Sequence, residues 1–447
     1  MCVIGLGRIG LPIALVTAKR GYTVYGVDID PGLVKDLGKG RVRFREPGLE
    51  QLLSSCRHRF RATADLKEAI SNSNVILCCV GTRRFFKRKP NLNLLWRIFE
   101  DLASVDISGR LIILKTTVPL GTTRKLAHYL EEKTCLKVDR DFFMAFSPER
   151  TVEGKAVLEL QTLPVVVGGV ADQSSKRAVD FYKATGADVV NVVTAEAAEL
   201  VKMIDNAYRI TKFAFSNDIS FVAEKIGLNV FEIIDAANYR YPRNDIPYPT
   251  CGVSGYCLSK DPYYLEEAFD QVAKERGFAS LWMTARRSYD FRVKQLVAQI
   301  EQSLGSGDTK TKKRALVCGV AFKSNIDDVR DSHGLAIARE LTKRGMLVSI
   351  WDPWVVSNPV GYRSCKNATD AFKGKDVAVF TVAHSQFKRA VNSMRRLSSL
   401  MRTPLIYDGA GLFRGRWGLN APYDLIGTGL PRKAGAVPKK HRREHSD

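Results

Sequence analysis

Two stretches of this 447-residue sequence have residue types and spacings suited to chemistry. The first is Gly5-Leu6-Gly7-Arg8-Ile9-Gly10, which directly follows the apolar run Met1-Cys2-Val3-Ile4 and precedes Asp28 by 23 residues counted from Gly5. Between a strand and a helix, Gly5 would make the tight turn, Gly7 would admit a diphosphate to the backbone and Gly10 would let the helix pack closely, with Ile9 in the same turn. The diphosphate would then meet unpaired N–H groups at the helix N-terminus. Asp28 can accept hydrogen bonds from the adenosine ribose and would repel a 2′-phosphate, so NAD is expected over NADP. FAD-dependent proteins share this opening, and a glycine-rich turn in a non-binding sheet is the bland alternative. The second stretch is Gly252-Val253-Ser254-Gly255-Tyr256-Cys257-Leu258-Ser259-Lys260-Asp261-Pro262. Gly252 and Gly255 allow a ligand close to the backbone, Lys260 can favour a Cys257 thiolate, and Asp261 is a nearby polar partner. A buried structural thiol fits Cys257 equally well, as it does Cys2, Cys78, Cys79 and Cys318. Lys202 and Asn206, four apart, would share one helix face, for which plain solvation is the alternative reading.

These residues need elements to hold them. The opening strand, a helix to Ala18 ended by Gly21, and a strand from Tyr22 to Val27 make a βαβ unit. Val75 to Val80, Leu111 to Leu114 and Val165 to Val167 suit later strands of a buried parallel sheet. From Thr194 to about Gly227, Leu200, Met203, Ile204, Tyr208, Phe215 and Ile219 recur at helical spacing and predict a long helix with one apolar face. Pro242, Pro247 and Pro249 predict a loop over residues 239–260, with helix resuming after Pro262 to about Ser303. A polar stretch at 305–313 leads into Ala315 to Val320 as a strand, a helix near 332–344, a strand Leu347 to Trp351 ending in Asp352, and strands at Val377 to Val382 and Leu405 to Tyr407. The expected fold class is α/β, with two Rossmann-like parallel-sheet domains joined by a central helical region. The expected domains are 1–193, 194–304 and 305–430, followed by a basic, disordered tail at 431–447.

Bulk properties narrow the function. A hydrophobic content of 45% excludes wholesale disorder. The net charge of +22 raises polyanions as partners. It is spread along the chain, however, without aromatic-interleaved basic repeats, so nucleic acid is disfavoured. Nine cysteines without Cys-x-x-Cys spacing read as free thiols in a reducing compartment. The first residues already read as a strand, which leaves no room for a signal peptide, and no apolar run approaches the ~20 residues of a membrane span; a cytoplasmic protein is expected. Six scattered histidines offer no metal-ligand spacing.

Beyond these two stretches, ordered motifs continue from Cys2 to about residue 415. They are Thr116-Thr117-Val118-Pro119-Leu120-Gly121-Thr122-Thr123; Ser147-Pro148-Glu149-Arg150 with Gly154; Glu199-Leu200-Val201-Lys202 with Asn206; and Gly319-Val320-Ala321-Phe322-Lys323 running to Asp328, Arg330 and Asp331-Ser332. In this order the chain resembles the nucleotide-sugar dehydrogenases, which make uronic acids from UDP-sugars. The resemblance implies an NAD-binding domain, a central helical region through which a homodimer forms, and a UDP-sugar-binding domain. It implies Cys257 as nucleophile in a four-electron oxidation, Lys202 and Asn206 stabilising the oxyanion, Asp261 and Glu149 as acid–base groups, and Thr117 positioning the hydrolytic water. Thr82, Thr116 and Arg330 would contact the cofactor; Glu149, Lys202, Arg243, Gly252, Gly255 and Lys323 would contact the sugar nucleotide.

The sequence also departs from the family pattern. The family usually has two adjacent glycines before the cysteine, and the first is Ser254 here. Its usual Thr-Pro is Thr82-Arg83, which opens a basic stretch to Lys89, and the usual serine before Thr117 is Thr116. Tyr241-Pro242-Arg243 resembles the Pro-Arg pair of the branch acting on UDP-N-acetylhexosamines, although the histidine of its cysteine loop is Tyr256 here. UDP-N-acetylmannosamine is the expected substrate, with UDP-N-acetylglucosamine and UDP-glucose as alternatives. Two rivals stand beside this: a dehydrogenase making a single hydride transfer with a structural Cys257, and a non-enzymatic polyanion-binding protein.

Overall fold

A computed structural model describes residues 1–84, 90–252, 254–305, 311–355, 361–390, 393–414 and 423–426. The basic residues 85–89 and the tail 431–447 singled out above lie outside these. The chain divides into two compact units, residues 1–207 with 260–280, and residues 208–259 with 281–447. The helical middle is shared between them, because the helices Ala195–Lys225 and Tyr256–Arg276 each pass from one unit to the other.

The first unit is built on an eight-stranded sheet. Its strands are β1 (Cys2–Ile4), β2 (Val24–Val27), β3 (Phe60–Thr63), β4 (Val75–Cys78), β7 (Leu111–Leu114), β8 (Phe143–Phe146), β9 (Val165–Gly169) and β10 (Val189–Asn191), with a small antiparallel pair, β5 (Arg83–Arg84) and β6 (Pro90–Asn91), set apart. The order is β10-β9-β8-β7-β4-β1-β2-β3, so the chain reverses its direction of travel across the sheet between β1 and β4. Such a reversal opens a crevice at the C-terminal strand ends. Cys2, Val3, Ile76, Leu77 and Ile112 to Leu114 are buried, as expected of strands covered on both faces. One expectation needs correction. The sheet is not wholly parallel, because β8 and β9 pair antiparallel at Ala145–Gly169 and Phe146–Gly168. The return from β8 passes through a single short helix, Ala156–Thr162, and delivers the chain to the neighbouring position in the opposite sense.

The second unit contains a six-stranded, all-parallel sheet, ordered β13-β12-β11-β14-β15-β16. These strands are β11 (Arg314–Cys318), β12 (Leu347–Trp351), β13 (Arg363–Ser364), β14 (Val377–Phe380), β15 (Leu405–Asp408) and β16 (Tyr423–Leu425). Its first turn repeats the design of the first unit. After β1, Asp28 Oδ2 accepts from Leu6 N at 2.8 Å and Oδ1 from Asp30 N at 3.0 Å. After β11, Asp352 Oδ2 accepts from Val320 N at 2.7 Å and Oδ1 from Trp354 N at 2.8 Å. The two turns differ in access. Asp28 is half-buried, whereas the Asp352 side chain is 2% exposed and sealed by His384 Nε2 at 3.2 Å. Burial pushes the Asp352 carboxyl up, but His384 and the backbone donors outweigh it and hold the group below its ordinary range.

The predicted loop also ends earlier than expected. The helix that carries the cysteine begins at Tyr256, runs through Pro262 and stops at Arg276, and a separate helix spans Leu281–Leu304. Proline lacks the N–H that the Leu258 carbonyl would otherwise receive, and the buried contacts of this helix override that local cost.

Candidate active site

Half of the predicted site residues follow the C-terminal ends of strands in the first unit. Gly5 follows β1, Asp28 follows β2, Thr82 lies beyond β4, Thr116 and Thr117 follow β7, and Glu149 follows β8. The glycine turn has the shape a dinucleotide requires. A Cβ on Gly10 would stand 1.8 Å from the Gly5 carbonyl oxygen, so no side chain fits there. A Cβ on Gly7 would meet nothing within 4 Å, which leaves that side of the turn open to a diphosphate. Ile9 is exposed at the N-cap of the Gly10–Lys19 helix. Asp28, held by two backbone donors, keeps lone pairs for ribose hydroxyls. Beside it Ile29, not singled out from the sequence, is 82% exposed and offers an apolar face to a flat base. These features fit NAD.

Behind the strand ends lies a buried polar network. Asp261 is fully buried, and both its oxygens are occupied: Oδ1 by Lys260 Nζ at 2.8 Å, Oδ2 by Asn206 Nδ2 at 2.5 Å. Thr82 Oγ1 accepts from Lys260 Nζ at 3.3 Å and Tyr264 OH at 3.1 Å, and donates to the Thr117 carbonyl at 3.1 Å. Thr116 Oγ1 donates to the Val80 carbonyl at 2.8 Å. The network therefore fixes Asn206 and ties both threonine positions to the sheet. Lys202 Nζ donates to the Glu149 carbonyl at 2.6 Å, which joins two predicted site residues 53 apart in sequence.

Glu149 has a partner that sequence reasoning missed. Lys115, buried at the end of β7, places Nζ 3.6 Å from Glu149 Oε2 and 3.3 Å from Ser147 Oγ. Thr151 adds two hydrogen bonds to Glu149 Oε1, at 2.8 Å and 2.6 Å. Burial pushes the Glu149 carboxyl up, but Lys115, Thr151 and Lys202 outweigh it and hold the group below its ordinary value. Burial likewise opposes the Lys115 charge, yet the Tyr182 phenol, Glu149 and Cys79 keep its ammonium above the ordinary lysine value. Both groups are ionised at neutral pH. Glu199 opens the motif that carries Lys202. It is buried and caps the Thr122–Thr134 helix, accepting from Gly121 N at 2.5 Å, Thr123 N at 2.8 Å and Thr123 Oγ1 at 2.5 Å. That contact anchors the turn of helix from which Lys202 projects.

The second unit holds the remaining residues. Cys257 is half-buried in the first turn of its helix. Burial pushes Cys2, Cys78 and Cys251 up to about 12, and Cys79 and Cys318 are raised as well. Gly255, at φ +103°, donates its N–H to the Asp331 carbonyl at 3.3 Å, and a Cβ there would press on the Phe322 ring at 3.0 Å. Gly252 lies against Tyr289. Lys323 is half-buried beside Phe322. Arg330 binds Asp328, with Nε 2.8 Å from Oδ2, and its guanidinium carbon lies 5.2 Å from the Tyr256 ring centroid. Arg243 is exposed, donating from Nε to Tyr241 OH at 2.8 Å.

An open dinucleotide turn and an ionised glutamate at the strand ends, with a lysine and an asparagine from the Ala195–Lys225 helix, suit removal of hydride from an alcohol, with a cation for the oxyanion and a base for the proton. This is the chemistry of an NAD-dependent dehydrogenase. Residues 1–185 match the NAD binding domain of the UDP-glucose/GDP-mannose dehydrogenase family, residues 196–288 its central domain and residues 316–415 its UDP binding domain. The chain belongs to that family, and is an NAD-dependent nucleotide-sugar dehydrogenase. Its relatives include the UDP-N-acetyl-D-mannosamine dehydrogenase of Pyrococcus horikoshii, 31% identical over 436 residues that span 97% of this chain and 99% of the relative. The NDP-N-acetyl-D-galactosaminuronic acid dehydrogenase of Ralstonia solanacearum is 30% identical over 87% of this chain and 91% of its own length. Among solved structures, UDP-D-ManNAc dehydrogenase from Pyrococcus horikoshii is 30% identical with a TM-score of 0.87, covering 96% of this chain and 100% of that one. Family membership sets aside the non-enzymatic alternative. Among the described residues no helix is long and apolar enough to cross a membrane.

The Lys115–Glu149 pair makes a specific prediction. Because the folded Glu149 carboxyl is depressed, its contribution to stability is complete above the unfolded value of about 4.3 and is lost as pH falls through the lower folded value. Lys115→Met leaves a buried carboxylate without its cation, at a cost of about 3–5 kcal/mol. Thermal unfolding at neutral pH should show that loss, and Lys115→Met/Glu149→Gln should recover part of it. A Tm unchanged by Lys115→Met would mean that the pair does not hold Glu149 ionised.

Proposed function

We propose that the chain oxidises the C6 alcohol of a UDP-N-acetylhexosamine, UDP-N-acetyl-D-mannosamine first, to the uronic acid through a covalent intermediate on Cys257. The carrying observation is the setting of this thiol, half-buried in a helix's first turn and four residues ahead of Asp261 on that helix. Spacing of four puts the two on one helix face. The substrate class is supported by Tyr241-Pro242-Arg243 and by relatives named for N-acetylated sugars. The domains proposed for this work are 1–193 for NAD, 194–304 for the cysteine loop and dimer contacts, and 305–430 for the UDP-sugar.

NAD would be held by Gly5, Gly7, Gly10 and Asp28, with Ile9, Thr82, Thr116 and Arg330 as further proposed contacts, and would supply the hydride acceptor for both oxidations. Glu149 takes the alcohol proton as the aldehyde forms, and the Lys202 ammonium and Asn206 amide stabilise the oxygen's developing charge. The Cys257 thiolate adds to the aldehyde carbon to give a thiohemiacetal, and the second oxidation leaves a thioester. Thr117 positions water, which attacks the acyl carbon; Asp261 assists the proton transfer, and the thiol departs. The net change is one alcohol, one water and two NAD to one carboxylate, two NADH and three protons. Gly252, Gly255 and Lys323 shape the sugar-nucleotide side. Nine free cysteines support a reducing, cytoplasmic setting that keeps Cys257 reduced.

We also propose a homodimer through the central helices. Tyr208, Phe215, Val222 and Ile226 lie between 52% and 62% exposed at helical spacing along and just past Ala195–Lys225, a stripe that a second copy would cover. Exposed Arg243 could then reach a neighbouring site.

With UDP-N-acetyl-D-mannosamine as limiting substrate, NADH release should reach two per sugar, and Cys257→Ala should abolish acid formation. UDP-N-acetylglucosamine and UDP-glucose should react more slowly. One NADH per sugar with an aldehyde product, unaffected by Cys257→Ala, would establish the single-transfer rival instead. In light scattering the protein should run as a dimer, and Phe215→Glu/Val222→Glu as a monomer; a monomeric wild type at micromolar concentration would remove the dimer proposal.

A further inference from the structure

Ser254 is where the chain leaves the family's glycine pattern, and the structure gives its side chain a specific partner. Ser254 Oγ lies 2.5 Å from His333 Nδ1 and 2.8 Å from the Phe322 carbonyl oxygen. His333 is buried at the start of the helix His333–Lys343, and its Nε2 lies 2.7 Å from the Thr381 carbonyl. A carbonyl only accepts, so Nε2 carries the ring proton and a neutral His333 presents a bare Nδ1. The single Ser254 hydroxyl proton then faces two acceptors, Nδ1 and the Phe322 carbonyl, and is shared between them, with the shorter contact to Nδ1. Burial pushes the imidazole below the ordinary histidine range and favours this neutral form.

The contact sits at a sensitive point. Residues 254 and 255 on one side of Cys257, and 259 on the other, are tied to the segment that follows β11. Beside the Ser254 contacts, Gly255 N donates to the Asp331 carbonyl at 3.3 Å, and Ser259 Oγ donates to Asp331 Oδ2 at 2.6 Å. Asp331 holds φ at +48°, in the left-handed region that few residues other than glycine, asparagine and aspartate adopt.

We propose that Ser254 and His333 are a matched pair of positioning residues that seats the loop before Cys257 and so sets the direction of its sulfur. The inference rests on Cys257 being the nucleophile. A glycine at 254 would leave His333 Nδ1 buried without a donor and would untie one side of the cysteine turn. The family's usual residue is therefore the wrong one for this chain.

The test compares Ser254→Gly, Ser254→Ala, Ser254→Thr, His333→Leu and His333→Gln with wild type and with Cys257→Ala. It measures kcat, KM for the UDP-sugar, NAD affinity and the rate of Cys257 alkylation by iodoacetamide. The pair predicts that Ser254→Gly, Ser254→Ala and His333→Leu lower kcat by between about ten- and a hundredfold. In these variants KM and NAD affinity should stay within about twofold and the alkylation rate should shift. Ser254→Thr keeps the hydroxyl, and His333→Gln keeps a donor for Thr381 and an acceptor for Ser254, so both should stay near wild type. Should Ser254→Gly fold poorly, His333→Leu against His333→Gln decides alone. Wild-type kcat and alkylation in Ser254→Ala and His333→Leu would overturn the proposal, as would equal losses in His333→Gln and His333→Leu. Wild-type activity in Cys257→Ala would instead remove the nucleophile assignment on which the pair rests.

Discussion

A carboxylate with no solvent contact must find its counter-charge and donors inside the protein, and Asp261 finds them on its immediate neighbour Lys260 and on Asn206, 55 residues earlier. Leaving either oxygen unpaired in that environment would be costly. The rotation of the Tyr256–Arg276 helix about its axis is therefore fixed by buried charge rather than by apolar packing alone. Lys260 and Tyr264 extend the clasp to Thr82, beyond the end of β4, and Thr82 passes it to the Thr117 backbone. Asn206, a proposed oxyanion donor, is held on the way. In this arrangement Asp261 acts first as an organiser. Lys260, a candidate from the sequence for favouring the thiolate, has its ammonium 2.8 Å from Asp261.

The same economy governs the other strand ends. Glu149 is kept ionised by a lysine from the adjacent strand, and Glu199 binds the backbone donors of a helix N-terminus. In the second sheet Asp352 repeats the position of Asp28, but His384 closes it. One turn design thus serves two ends. In the first unit the acid faces outward and fits a ribose, and in the second it binds its own loop together.

The parts of this architecture that follow local rules were readable from sequence. The glycine turn, Asp28, the helix Ala195–Lys225 and the strands β4, β7, β11 and β12 all follow from apolar period and turn residues. Lys202 and Asn206 were found as a pair by their spacing. What could not be read depended on partners far along the chain. Pro262 argued for a helix starting after it, yet the helix begins at Tyr256. Lys115 carries no signal in the sequence, because its purpose comes from Glu149, which follows the next strand. Ser254 registered as a departure without a purpose, because His333 lies 79 residues away and no spacing rule links them. The β8–β9 pairing was missed for a different reason: apolar composition marks a strand and is silent on its direction.

The central claim is that Cys257 becomes covalently acylated, and peptide mass spectrometry of enzyme quenched in acid during turnover tests it directly. The expected result is a Cys257 peptide heavier by the uronyl nucleotide, with hydroxylamine removing the added mass as it does from a thioester. A Cys257 peptide that stays unmodified, while acid and two NADH per sugar accumulate, would contradict it.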